Sequence, residues 1–173
     1  MCCRREYSSM LFLGVYECIV VYKAFDVYYF DGLAHHSVLQ RPALRARSIA
    51  VFSFGKTFSV TGWKTGYCVA PSALTHALRK VHQFVCFVAV TPVQHAIADF
   101  MAAQPDYPAS LSAFYQRKRD TFCTALEQSR FKFSPSKGTY FQVLDYSEVS
   151  STLDTELAEL WTRERRVASI PLS

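Results

Sequence analysis

Lys56 closes a β-branched and aromatic run, with Ser53 three residues before it and Lys64 eight residues after, in the stretch SFGKTFSVTGWKTGY over residues 53–67. An amine held where a buried strand gives way to a loop is partly stripped of water, which favours its neutral, nucleophilic form and attack on an aldehyde to give a Schiff base. The hydroxyl of Ser53 and the cation of Lys64 are groups that a phosphate requires, and Gly62 permits a tight turn between them. Two other readings compete. Gly55-Lys56-Thr57 after a strand suggests a nucleotide phosphate loop, but that loop needs a glycine five positions before Gly55, where this chain has Ala50. Lone loop lysines are otherwise mostly solvated surface charges.

The elements that must carry these residues read as α/β. The run SIAVFSF (48–54) predicts a buried strand, and GYCVA (66–70) a second buried strand stopped by Pro71. Ser72 is a candidate cap for a helix over 72–84, with Ala73, Leu74, Ala77, Leu78 and Val81 as its apolar stripe. A further helix is expected over 93–103, before a break around Pro105 and Pro108. Residues 109–128 repeat Leu111, Phe114, Tyr115, Phe122 and Leu126 at helical spacing and predict a long connecting helix. Short strands at 131–133 and 139–144, separated by a Ser-Pro-Ser-Lys-Gly turn, and a helix over 153–164 complete the reading.

The stretch from Ser53 to Tyr67 with the following CVAP resembles the active-site segment of the fold-type I aminotransferases that use pyridoxal 5'-phosphate, within them the kynurenine and methionine aminotransferase group. The resemblance extends through Pro92-Val93-Gln94, Lys137-Gly138-Thr139-Tyr140-Phe141 and His35-His36-Ser37-Val38, over about residues 30–173, with Tyr16 to Val20 also matching. It implies that Lys56 is the Schiff-base lysine and proton shuttle, that Ser53 and Lys64 are phosphate ligands, that Tyr16 donates to the ring oxygen, and that Tyr140 borders the substrate cleft. The implied fold is part of the pyridoxal-phosphate transferase architecture: a mixed sheet flanked by helices over 1–108, then a connecting helix and the start of a small α+β domain over 109–173. Amino acid and 2-oxo acid substrates, transfer of an amino group between them, and an active site shared across a homodimer follow from the same resemblance.

The sequence also departs from the family pattern. Leu13-Gly14-Val15-Tyr16 stands where the family has Asp-Glu-Val-Tyr, so the carboxylate that partners the pyridine nitrogen is replaced by Leu13. Residues 21–29 (VYKAFDVYY) read as an insert, either bringing Asp26 as a substitute carboxylate or extending the neighbouring strand pair. The glycine turn, stacking aromatic and asparagine of the family do not precede residue 13, and the carboxylate-binding arginine does not appear before Ser173. The expectation is a chain truncated at both ends. A catalytically inactive remnant that dimerises or binds a partner is the alternative to an active aminotransferase.

Composition narrows the remaining classes. The formal charge of +5 comes from Lys and Arg interleaved with acids on helix-like stretches, which argues against nucleic-acid binding. Six cysteines without a CxxC or zinc spacing suggest reduced thiols in a cytoplasmic protein, with Cys68 and Cys86 in the core. His35-His36 lacks the carboxylate or cysteine companions of a metal site and suggests a surface loop. Glu17 interrupts the early apolar run, against a targeting segment, and the apolar run 84–90 is far shorter than the roughly 20 residues a membrane helix needs. Trp63 is expected to pack and fix the lysine loop.

Overall fold

The computed structural model describes residues 10–11, 18–23 and 29–173 of the chain. Among the described residues, four strands form one mixed sheet in the order β1 (Met10–Leu11), β2 (Ile19–Lys23), β3 (Ser48–Ser53) and β4 (Gly66–Val69). The β2–β3 pair is parallel, from Ile19 opposite Ser48 to Lys23 opposite Phe52, while β1–β2 and β3–β4 are antiparallel. A parallel pair cannot be joined by a hairpin, and helix α1 (Pro42–Arg45) lies between the two strands in the chain. Ile19, Val21, Ser48 and Ala50 alternate into the buried side of the central pair, and the Ser48 hydroxyl donates to the Leu44 carbonyl at 2.6 Å, so the buried polar group is satisfied. Of the residues read as an insert, Val21 to Lys23 extend β2 in register with β3. Asp26 and Leu13 lie outside the described residues.

Strand β4 corrects one expectation. It forms, but all four of its residues are exposed: β4 is an edge strand, paired on one side with β3 and touched by Phe54 of the helix following β3, which is too little cover to bury it. Cys68 on β4 and Cys86 after α3 are exposed for the same lack of cover, whereas Cys123 is buried.

The helices follow the predicted pattern with shifted starts. Helix α2 (Phe54–Thr57) follows β3 directly, and α3 (Ser72–Val85) begins one residue before the expected cap takes hold: Pro71 occupies the cap position with no side-chain hydrogen bond, and Ser72 is already helical. Helices α4 (Thr91–Ala103) and α5 (Tyr107–Leu126) each start with a proline in the first turn, where the missing N–H is no loss. Pro108 therefore opens the long helix instead of breaking the chain ahead of it. The predicted stripe of α3 finds little cover among the described residues: Ala73, Ala77, Leu78 and Val81 are exposed and Leu74 is half-buried, and Phe84, beyond the stripe, is 84 % exposed.

Beyond α5 the expected strands do not form. Residues 131–145 are held by single bridges, Lys132 to Asp145 and Tyr29 to Gly138, and by the Gln142 amide, which donates to Ser134 O at 2.9 Å and accepts from Ser136 N at 2.9 Å. Side-chain hydrogen bonds have taken the place of a ladder. Phe30, fully buried, and Leu111 form the core here, with Tyr107, Tyr115 and Tyr140 against them.

Helix α6 (Asp154–Leu160) continues into one π-turn (Trp161–Arg165). Its first residue anchors the distant segment 172–173: Asp154 Oδ2 accepts from the Leu172 and Ser173 amides at 2.7 and 2.9 Å. The Ser173 hydroxyl and these amides hold the Asp154 carboxyl down to about 2. A folded value below the unfolded one, about 3.9, means that this anchor is fully present above pH 4 and is lost as the pH falls toward 2. The amide resonances of Leu172 and Ser173 should shift together across that window, and Asp154→Asn should show the detached signature at neutral pH.

Candidate active site

Ser53 ends β3 in extended conformation and caps α2, its hydroxyl oxygen accepting from the Gly55 amide at 3.1 Å. The cap turns the chain sharply, so that the strand direction becomes a short helix bearing Lys56 within three residues. Gly55 is buried, and a Cβ there would lie 3.0 Å from Thr61 Cα, so its glycine identity lets the following loop fold back against α2. The Gly55 carbonyl accepts from the Val60 amide at 2.9 Å and the Thr61 hydroxyl at 3.2 Å, closing the loop.

Lys64 ends the next short turn (Thr61–Trp63) in left-handed conformation, with φ 51°. Ser59 is left-handed too, with φ 56°, and Gly62 is not, so the tight turning expected of Gly62 falls to its neighbours. The loop is returned to the sheet by Thr65, buried like Gly55, whose carbonyl accepts from the Phe54 amide at 3.1 Å and whose hydroxyl donates to Trp63 O at 3.0 Å. Trp63 is 42 % exposed, so backbone hydrogen bonds and Thr65 fix this loop, not the indole. Aromatic contacts seat it from the other side: Tyr67 stacks on Phe52 at 4.8 Å and meets Phe54 at 5.0 Å.

Tyr140 reaches the same place from far along the chain. Its ring lies 5.9 Å from Lys56 Nζ, within cation–π range, and packs on Tyr115 of α5 at 5.8 Å. The structure thus brings Lys56 and Tyr140 together and carries Ser53, Lys56 and Lys64 on one continuous strand, helix and turn. Tyr16 lies outside the described residues. His35 and His36 lie in a loop, His35 stacked on Tyr29 at 4.7 Å, and no cluster of metal-ligating side chains occurs among the described residues.

Sequence reasoning missed the support behind Tyr140. The Arg119 guanidinium, 8 % exposed, donates to both Asp31 carboxylate oxygens at 2.6 and 2.7 Å and to Ser136 O at 2.7 Å, and lies 5.0 Å from the centre of the Phe30 ring. The hydrogen bond from Arg119 holds the Asp31 carboxyl below the usual carboxylate range. The only signal available was an arginine interrupting the apolar face of a long helix, which does not by itself name a partner 88 residues away.

Comparisons with known proteins give these residues their setting. The family model described as aminotransferase class I and II matches residues 18–172. The chain is 49 % identical over 144 residues to methionine aminotransferase from Escherichia coli, a match covering 83 % of this chain and 37 % of that protein. It is 42 % identical over 123 residues to a kynurenine–oxoglutarate transaminase from Dictyostelium discoideum, covering 69 % of this chain and 28 % of the relative. A crystal structure of a methionine aminotransferase from Escherichia coli superposes with a TM-score of 0.84 at 44 % identity, over 89 % of this chain and 41 % of that one. The chain spans well under half the length of the relatives it matches. With the family model matching nearly the whole of it, the chain belongs to the class I and II aminotransferases.

Proposed function

We propose that Lys56 carries pyridoxal 5'-phosphate, that Ser53 and Lys64 hold its phosphate, and that the protein moves an amino group from an amino acid of the kynurenine, methionine or aromatic type to a 2-oxo acid. The observation that carries this reading is the state of Ser53. Its oxygen is engaged by the Gly55 amide while, among the described residues, its hydrogen is donated to no acceptor. A hydroxyl whose donor is not taken up by another described residue suits an anion. Lys64 adds an exposed ammonium that forms no ion pair among the described residues. A hydroxyl donor and a cation flanking a lysine are the donor set that a phosphorylated aldehyde fits.

When bound, the cofactor supplies an aldehyde that accepts the amino group and a ring that withdraws electrons from the substrate α-carbon. Lys56 Nζ would be the attachment point and the base that moves a proton at that carbon. Ser53 and Lys64 would hold the phosphate end and so limit the orientations open to the bound group. Tyr140 covers one side of the lysine and borders the space for substrate. Tyr16 completes the cofactor set as a donor to the ring oxygen. A cytoplasmic homodimer belongs to the same proposal, and the exposed apolar run around Phe84 and Phe87, 84 % and 81 % exposed, favours such association.

The direct test is reductive trapping. The chain is mixed with pyridoxal 5'-phosphate, reduced with borohydride, digested, and mapped by mass spectrometry. Label concentrated on Lys56 is the expected result. Label spread evenly over exposed lysines such as Lys80, Lys132 and Lys137, or no label at all, overturns the proposal.

A further inference from the structure

We propose that Arg119 is a positioning residue for Lys56: it latches the 136–140 turn so that the Tyr140 ring rests against the Lys56 ammonium. The turn it holds is strained. Thr139 adopts φ 65°, a left-handed conformation unfavourable for a β-branched residue, and its hydroxyl is buried without a hydrogen-bond partner. Such a turn persists only where its surroundings over-determine it. Here they do so from three directions. Arg119 Nη1 binds Ser136 O at 2.7 Å, the Phe30 amide donates to Lys137 O at 3.1 Å, and Tyr29 bridges to Gly138. Two of these three partners sit in the 29–31 segment, which Arg119 itself fixes through the paired hydrogen bonds to Asp31 and the contact with Phe30. Gln116, one helical turn earlier on α5, accepts from the Asp31 amide at 2.8 Å. Arg119 is therefore the common member of the contacts that deliver Tyr140, the next residue after Thr139, to Lys56.

A planar fork with donors on two sides is what this position needs. Arg119 binds the Asp31 and Asp120 carboxylates and the Ser136 carbonyl at once, which a lysine ammonium on a flexible stem does with less fixed geometry. Release of the latch lets the turn relax, withdraws the Tyr140 ring, and leaves the Lys56 amine less covered.

The functional meaning of this latch rests on Lys56 being the cofactor lysine, but its test does not. The acylation rate of Lys56 by acetic anhydride is measured on the cofactor-free chain by mass spectrometry, with Lys64 as internal reference. Arg119→Met is expected to speed Lys56 acylation about threefold, the size of a lost cation–π contact. Tyr140→Leu should give the same factor, and the double variant no more than either alone, since both remove one contact. Arg119→Lys should fall between Arg119→Met and the parent. Asp31→Asn, which changes only a half-exposed partner, should move the rate in the same direction if Arg119→Met fails to fold. An unchanged Lys56 rate in Arg119→Met with native circular dichroism, or an unchanged rate in Asp31→Asn, overturns the latch, as do effects that multiply in the double variant. Failure of pyridoxal 5'-phosphate to attach to Lys56 rejects the cofactor role and is read separately, since acylation needs no cofactor.

Discussion

Lys56→Ala is expected to abolish covalent capture of pyridoxal 5'-phosphate, and Lys64→Met to weaken it about 10- to 100-fold while leaving capture of unphosphorylated pyridoxal unchanged. The first outcome follows because no other amine shares the β3–α2 junction with Ser53. The second follows from the separation of tasks along the segment. On the proposed roles, Lys56 contributes a nucleophile, whereas Lys64 contributes charge to a phosphate that pyridoxal lacks. A hydrogen bond to a charged group contributes about 1.5–3 kcal/mol, which is roughly 10- to 100-fold in affinity. Ser53→Ala should act in the same direction with one difference: it also removes the cap of α2, so about 1 kcal/mol of stability is lost with it. Titration of each variant with both aldehydes, followed by reduction and peptide mapping, separates the roles. Equal weakening toward pyridoxal and its phosphate in Lys64→Met would show that Lys64 supports the fold and does not contact phosphate.

The segment that carries Ser53, Lys56 and Lys64 was legible in the sequence because its conformation is local. A strand end, a capping hydroxyl and a turn lie within twelve consecutive residues, and short-range chemistry determines each of them. The helices were legible for the same reason, since apolar spacing records a helix without reference to its neighbours. Burial was not. Strand β4 and the stripe of α3 have buried-type sequences but are exposed, because burial depends on what packs against an element. Residues 139–144 illustrate the reverse error. Their aromatic and β-branched composition suggested a strand, yet the left-handed Thr139 and the Gln142 hydrogen bonds hold an irregular segment. Arg119 was illegible because its meaning lies in Asp31 and Ser136, which only the folded chain brings to it.

Gly66→Ala is expected to destabilise the chain by about 3 kcal/mol or more, at the upper end of overpacking effects, and to eliminate specific trapping at Lys56. A Cβ at Gly66 would lie 2.2 Å from the Phe52 carbonyl oxygen and 3.4 Å from Ser53 Cα, both backbone atoms that no side-chain rotation can move aside. Gly66 pairs with Ser53 in the β3–β4 ladder, so relief requires the strands to part where the Ser53 cap begins. Parting them also loosens the Tyr67 stack on Phe52 and the Phe54 amide bond to Thr65, the two contacts that return the lysine loop to the sheet. Gly62→Ala is the matched control, since a Cβ there meets nothing within 4 Å and its φ is one that alanine adopts. It should stay within about 0.5 kcal/mol of the parent. Urea unfolding of the three chains measures this directly, with a midpoint lowered by at least about 1 M for Gly66→Ala. A Gly66→Ala midpoint equal to that of Gly62→Ala would mean that β4 yields without cost, and that the lysine loop is held by its own hydrogen bonds and not by the sheet edge.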